Sequence, residues 1–175
     1  MLYAGRISEE KGLGVLLDAW ARARPAALEL VVAGEGPLRR ELEDRAIAGV
    51  RFTGWLPLAG VRELMLTSRA LVFPSVCFEV FPLTIVEAMS AGLPVLASDH
   101  GGSAEIVRQV GAEWLAGPGA VDSWVDRLGT LGDDRAIDAA GAGGRALYMD
   151  QYAPERGIAS LVDVYRAAIA AAGAR

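Results

Sequence analysis

Short apolar runs alternate with segments of helical periodicity along most of the chain. The runs are hydrophobic throughout and bounded by Gly or Pro, as is typical of strands buried on both faces of a sheet. They predict strands at Leu2–Gly5, Leu28–Ala33, Val50–Thr53, Ala70–Pro74, Pro94–Ser98 and, in a less apolar run, Glu113–Ala116. Strands and helices that alternate in this way predict an α/β fold with a doubly wound, parallel six-stranded sheet.

Amphipathic helices are predicted between these strands because apolar positions recur there every three or four residues. Such positions are Leu13, Leu16, Leu17 and Trp20, then Leu38, Leu42 and Ala46, then Val61, Leu64, Met65 and Ser68, and later Trp124, Val125, Leu128 and Leu131. Ala136–Tyr148 has the same spacing, but its three glycines predict a weak or broken helix. We treat residues 1–175 as one domain whose closing helices occupy residues 136–175.

Composition narrows the class of protein. A hydrophobic content of 53% excludes a disordered chain, and a net charge of −5 with a pI near 4.9 argues against a nucleic-acid partner. No apolar run reaches the roughly 18 residues of a membrane span, and no basic, apolar leader opens the sequence. The single cysteine, Cys77, excludes an internal disulfide and suits a reducing cytosol, so we expect a cytoplasmic protein. Abundant Arg, Ala and Gly favour a GC-rich bacterial genome.

A cationic loop follows the first predicted strand. It carries Arg6 and Lys11, the only lysine of the chain, and Gly12 leads into the next helix. Arg6 can donate two parallel hydrogen bonds to phosphate oxygens, while Lys11 supplies a compact positive charge near unpaired helix amides. The sequence therefore predicts a diphosphate site here. In the alternative interpretation, both cations pair with Glu9 and Glu10 in a solvated loop.

The segment Ser75–Gly102 holds two carboxylates, Glu79 and Glu87, eight positions apart in an apolar setting. Desolvating them is costly unless hydroxyl-rich or cationic groups meet them. They converge only if residues 80–82 fold back over the start of a helix predicted from Leu83 to Ala91. That fold exposes the amides of residues 83–85, which suit a negatively charged group.

The two segments together resemble the C-terminal donor-binding domain of retaining GT-B glycosyltransferases, especially glycosyltransferase family four. The resemblance rests on the GR-x4-KG motif of Gly5, Arg6, Lys11 and Gly12, and on the E-x7-E motif with its FP, EAMSAGLPV and GG neighbours. It extends over nearly the whole chain and implies a Rossmann-like half of a GT-B fold. The implied activity is transfer of a hexose-type sugar from a nucleoside diphosphate sugar with retention at the anomeric carbon.

The resemblance also implies residue roles. Glu79 would be the catalytic residue that holds the hydroxyls of the transferred sugar, and Glu87 would chelate the ribose diol. Gly5, Arg6 and Lys11 would grip the diphosphate. Backbone contacts to the donor are implied for Phe81, Leu83 and Thr84. Pro82 departs from the commoner glycine of the family and lacks an N–H, so one possible sugar contact is lost.

Family members carry an N-terminal acceptor domain that this sequence lacks, so we expect a piece of a longer enzyme that binds donor and transfers nothing alone. Surfaces that the missing domain covers in the family would then be exposed and favour self-association. Attachment of the whole enzyme to the inner membrane through that domain stays open. So do two other functions: a non-catalytic nucleotide-sugar-binding module, and a fragment of a nucleotide-sugar 2-epimerase.

Weaker signals surround these motifs. Gly101–Gly102 resembles the family's loop near sugar and acceptor. We expect His100 to be a solvated loop residue, and Trp55 and Cys77 to serve packing. No Asp-x-Asp motif or His/Cys cluster occurs in the sequence, so we expect no metal and no cofactor besides the donor sugar nucleotide.

Overall fold

The structure is a computed structural model that describes residues 1–25 and 28–173. Six strands form one parallel sheet: Leu2–Ala4 (β1), Leu30–Ala33 (β2), Val50–Gly54 (β3), Leu71–Phe73 (β4), Val95–Ser98 (β5) and Leu115–Ala116 (β6). Their order across the sheet is β3-β2-β1-β4-β5-β6. The predicted doubly wound α/β fold is confirmed. The sixth predicted strand is shorter than expected, because Ala112–Trp114 forms a 3-10 turn.

The helices are Leu13–Ala23 (α1), Arg39–Glu43 (α2), Leu58–Thr67 (α3), Leu83–Ser90 (α4), Gly101–Val107 (α5), Val121–Thr130 (α6), Asp134–Leu147 (α7) and Pro154–Gly173 (α8). The chain runs outwards from β1 through β2 to β3 on one side of the sheet's centre, and from β4 through β5 to β6 on the other. Helix α6 packs on α1, and α7 packs on α4. Buried side chains of the strands and of these helices form one core.

The predicted break in Ala136–Tyr148 is wrong, because α7 runs unbroken through it. Its glycines are contact points. A Cβ at Gly141 would lie 2.5 Å from the carbonyl oxygen of Gly92, and one at Gly144 would lie 3.3 Å from the Met89 side chain. Close packing against the end of α4 therefore outweighs the poor helix propensity of glycine. The predicted helical position of Ala46 is also wrong, because α2 ends at Glu43 and Ala46 has a φ of 48°.

Helix α8 projects an apolar surface into solvent. Exposed side chains along it are Ile158, Leu161, Val162, Val164, Tyr165 and Ile169. A five-residue π-helical turn, Tyr148–Tyr152, connects α7 to this helix. No helix among the described residues is both long enough and apolar enough to cross a bilayer.

Candidate functional site

The winding of the chain reverses between β1 and β4, and a crevice opens there at the carboxyl ends of the strands. Open parallel sheets bind ligands at such switch points. Two adjoining cavities fill the crevice, one of about 490 Å³ and one of about 310 Å³. They share a wall made of Ala4, Gly5, Arg6 and Thr84.

All eight residues predicted from the sequence line this crevice. Gly5, Arg6 and Thr84 border both cavities, and Glu87 faces the larger one. The smaller cavity is bordered in addition by Lys11, Glu79, Phe81 and Leu83. The two carboxylates therefore occupy opposite parts of one cleft. The roles of these residues stay predictions.

Lys11 and Glu79 form an ion pair across the smaller cavity, with 2.6 Å between Nζ and Oε1. Burial lowers the pKa of Lys11, but the hydrogen bond and charge of Glu79 outweigh it and the pKa rises above its ordinary value. Burial raises the pKa of Glu79, but hydrogen bonds from Lys11, Ser75 and Cys77 outweigh it and the pKa falls. Both groups are therefore charged at neutral pH. The alternative in which Lys11 pairs with Glu9 or Glu10 is wrong.

Backbone contacts bind the loop before α1 to the loop after β4. The carbonyl oxygen of Glu10 accepts hydrogen bonds from the amides of Val76, at 2.9 Å, and Cys77, at 3.3 Å. Gly12 adopts a φ of 69°, and a Cβ there would lie 2.0 Å from the carbonyl oxygen of Pro74. Only glycine permits both the conformation and the approach. This close packing brings Lys11 within reach of Glu79.

Arg6 supplies the second cation. Its guanidinium is exposed and makes no hydrogen bond or ion pair within residues 1–25 and 28–173. Its carbonyl oxygen, by contrast, accepts a 2.7 Å hydrogen bond from the hydroxyl of Tyr3. Burial, with the charges of Glu10 and Glu79, raises the pKa of Tyr3, so the phenol stays protonated and keeps donating. The backbone of Arg6 is therefore held by a hydrogen bond, while its guanidinium is available to a ligand.

The start of α4 points unpaired amides at the cleft. Pro82 precedes the helix and its carbonyl accepts from the amide of Ile85 at 3.0 Å. The prediction of three free amides is therefore wrong for Ile85, whereas those of Leu83 and Thr84 have no acceptor in the described part of the chain. Two amides and the positive end of the helix dipole suit an anion.

The loop that carries Glu79 rests on the start of α5. The amide of Gly102 donates to the carbonyl of Glu79 at 2.6 Å. A Cβ at Gly102 would lie 2.4 Å from the carbonyl oxygen of Val80. Gly101–Gly102 thus supports the Glu79 loop in this structure. His100 packs edge-on against Phe78, with 5.1 Å between the ring centroids.

One packing expectation is wrong, and three site residues went unpredicted. Trp55 is 71% exposed and borders the larger cavity. Cys77 contacts both Lys11 and Glu79, and its packing role stays a prediction. Tyr3, Ser75 and Glu35 were missed altogether. Ser75 lies two residues after the end of β4, and a serine near a strand end is too common to indicate its hydrogen bond to Glu79. Glu35 accepts from the amide of Trp55 at 3.3 Å, a contact that no sequence pattern indicated.

The described residues hold no group of three or more His, Cys, Asp or Glu side chains arranged for a metal ion. The charged groups that line the cleft are two cations and three carboxylates: Arg6, Lys11, Glu35, Glu79 and Glu87. With the two free amides, the cleft can hold an anion at its centre and hydroxyl groups towards both ends.

Residues 1–134 match the family described as Glycosyl transferases group 1. The chain is similar to an uncharacterized glycosyltransferase, MJ1607, of Methanocaldococcus jannaschii, with 36% identity over 141 residues, 73% of this chain and 35% of that protein. It is also similar to 2-deoxystreptamine glucosyltransferase of Streptomyces kanamyceticus, with 36% identity over 141 residues, 77% of this chain and 36% of that protein. The chain spans about a third of the length of these relatives.

Solved structures share the fold. Sucrose-phosphate synthase of Thermosynechococcus elongatus superposes with a TM-score of 0.81 at 24% identity, over 97% of this chain and 45% of that one. Anabaena HepE, solved in complex with UDP and glucose, superposes with a TM-score of 0.79 at 24% identity, over 93% of this chain and 47% of that one. The expected Rossmann-like half of a GT-B fold is confirmed.

Proposed function

Because the chain belongs to the family Glycosyl transferases group 1, we propose that its cleft binds the nucleoside diphosphate sugar donor of a retaining glycosyl transfer. The observation that carries this proposal is the meeting of Lys11, Glu79, the free guanidinium of Arg6 and the start of α4 at one switch point. Cations and amides there suit a diphosphate, and a carboxylate beside them suits sugar hydroxyls.

The donor lies along the cleft with its nucleoside in the larger cavity. Glu87 accepts hydrogen bonds from the ribose diol, and the exposed ring of Trp55 offers an apolar face to the base. The diphosphate crosses the shared wall at Arg6, where Lys11 and the amide of Thr84 also reach it. A relative of the same fold, Anabaena HepE, was solved with UDP and glucose, which supports a nucleotide site of this kind.

The transferred sugar lies in the smaller cavity beside Glu79. In the transfer, the bond from the anomeric carbon to the diphosphate oxygen breaks, and the acceptor oxygen bonds to the same face of that carbon. The acceptor proton passes to the departing diphosphate. Arg6, Lys11 and the α4 amides stabilise the charge that grows on the leaving group, and Glu79 stabilises the sugar as it becomes cationic. No side chain acts as a nucleophile.

The acceptor is held by a further domain that packs against α8. Six exposed apolar side chains lie along this helix, as an interface to another domain requires. The chain spans about a third of its curated relatives, which leaves ample length for such a domain. Alone, this chain binds donor, transfers no sugar, and self-associates weakly through α8.

Calorimetric titration with UDP, GDP and ADP tests the donor site. We expect one of the three to bind, and Lys11→Ala and Glu87→Gln each to weaken it by about tenfold or more, as for a lost hydrogen bond to a charged group. Arg40→Ala and Glu41→Gln remove the same kinds of charge from the exposed surface of α2 and serve as matched controls. Unchanged affinity in both cleft variants would refute the assignment.

A further inference from the structure

Three donors converge on a single oxygen of Glu79. Oε1 lies 2.6 Å from Nζ of Lys11, 2.8 Å from Oγ of Ser75 and 3.3 Å from Sγ of Cys77. Every side-chain hydrogen bond to this carboxylate from residues 1–25 and 28–173 goes to Oε1. Each carboxylate oxygen accepts about two hydrogen bonds, so Oε1 is saturated and Oε2 keeps its full capacity.

The hydroxyl of Ser75 donates to Glu79 in preference to two weaker acceptors nearby. Ser75 and Lys11 both border the smaller cavity, but Ser75 is 1% exposed, whereas the side chain of Lys11 is 30% exposed and can be shared with a diphosphate there. The hydroxyl of Ser75 also lies 3.2 Å from the carbonyl oxygen of Glu10, which two backbone amides already fill, and 3.2 Å from Sγ of Cys77, which is a weak acceptor. The shorter contact, to a charged acceptor, takes the single hydroxyl proton.

We infer that Ser75 is a positioning residue, which holds Oε1 of Glu79 and leaves Oε2 as the oxygen that accepts a hydroxyl of the donor sugar. This inference rests on the proposed function. The hydroxyl keeps the carboxylate in one rotamer while the ammonium of Lys11 is shared between Glu79 and the diphosphate. Without the hydroxyl, Glu79 can rotate and present either oxygen to the ammonium.

The matched pair of variants is Ser75→Ala and Ser8→Ala. Ser8 is also a buried serine, it lies in the loop that carries Lys11, and its hydroxyl donates to a carboxylate oxygen of Glu10 at 2.6 Å. It makes no hydrogen bond to Glu79. Each substitution therefore removes one buried hydroxyl and one carboxylate contact from the same pair of loops, and only Ser75→Ala releases Glu79.

Two measurements follow Glu79 itself. Wild-type protein is first titrated with three pairs of ligands: UDP and UDP-glucose, GDP and GDP-mannose, ADP and ADP-glucose. The pair that it binds is then used for the variants. Ser75→Ala is expected to weaken the sugar nucleotide by about tenfold while the free diphosphate changes by less than about twofold. Carbon-13 NMR of the glutamate carboxyls is expected to show the pKa of Glu79 raised in Ser75→Ala and unmoved in Ser8→Ala, because one donor to its charged form is lost.

The outcomes separate the two claims. Wild-type protein that binds none of the three pairs would overturn the proposed function, and the sugar contact of Oε2 with it. The inference alone would be overturned if wild-type protein binds a pair and Ser75→Ala has the same ratio of sugar-nucleotide to diphosphate affinity and the same pKa of Glu79. An equal loss of both ligands in Ser75→Ala would also overturn it, because that result describes a loosened loop.

Discussion

Replacing Gly12 by alanine tests whether the close packing of two loops builds the site. Gly12 has a φ of 69°, and a new Cβ would lie 2.0 Å from the carbonyl oxygen of Pro74, well inside the 3.4 Å at which ordinary contact begins. Gly92 provides the control. Its φ is 71° and a Cβ there meets nothing within 4 Å, at the end of α4 away from the cleft.

Both variants place alanine in the left-handed region, and only Gly12→Ala also creates a steric clash. Alanine in the left-handed region costs about 1–2 kcal/mol, and this is the whole expected effect of Gly92→Ala. Gly12→Ala adds a steric cost of about 1–3 kcal/mol, because the obstacle is backbone that cannot rotate away. The loops must separate, and the separation draws Lys11 away from Glu79.

Urea unfolding and nucleotide titration measure the two effects. We expect Gly12→Ala to lose about 2–5 kcal/mol of unfolding free energy and to bind nucleotide at least about tenfold more weakly. Gly92→Ala is expected to lose only the smaller amount of stability and to keep its affinity. Equal stabilities of the two variants would refute the steric argument. Normal affinity in Gly12→Ala would refute the link between loop packing and the site.

Three further predictions concern the hydrogen bonds, charges and surface of the domain. Tyr3→Phe removes the hydroxyl that holds the carbonyl of Arg6, so calorimetry should show nucleotide bound several-fold more weakly; an unchanged affinity would contradict that anchoring role. The pKa of Glu79 is lowered from its ordinary value of 4.5. The stability that Glu79 contributes is therefore fully present above pH 4.5 and is lost as the pH falls through the lowered pKa. The raised pKa of Lys11 means that its contribution is fully present below 10.5 and is lost as pH rises through the raised pKa. Urea midpoints across pH should therefore fall less steeply on the acid side in Glu79→Gln, and an identical slope would contradict the sign. Wild-type protein should self-associate with rising concentration in sedimentation velocity, and Ile169→Glu should abolish this; oligomers that persist in the variant would place the interface elsewhere.

The architecture was predictable because buried parallel strands leave a plain signal. Runs such as Val95–Ser98 are apolar at every position, since both faces of the strand are covered, and Gly or Pro ends them. The helix α7 was not predictable on propensity alone. Its glycines disfavour a helix locally, and the compensation comes from Gly92 and Met89, which lie about 50 residues away in sequence. Local rules carry no information about such a partner.

Part of the site was predictable because its residues stand at the carboxyl ends of strands. Lys11 and Glu79 come from the loops after β1 and β4, which are neighbours only in the folded sheet. Before the structure was known, only the resemblance to a known family indicated that the two residues share one site. Ser75 and Tyr3 were missed for a different reason. Each acts through another residue, and a serine or tyrosine near a strand end is too common to indicate a hydrogen bond.

In the proposed donor site, one fixed and one movable cation hold the diphosphate. Lys11 is paired with Glu79, so its position is set before any ligand arrives, and its loss also removes a hydrogen-bond donor from that carboxylate. Arg6 has an anchored backbone but a free guanidinium, which must give up side-chain freedom to bind. Loss of Arg6 should therefore weaken free diphosphate and sugar nucleotide alike, whereas loss of Lys11 should weaken the sugar nucleotide more. Only a site in which the same ammonium touches both the diphosphate and the sugar-binding carboxylate gives this difference.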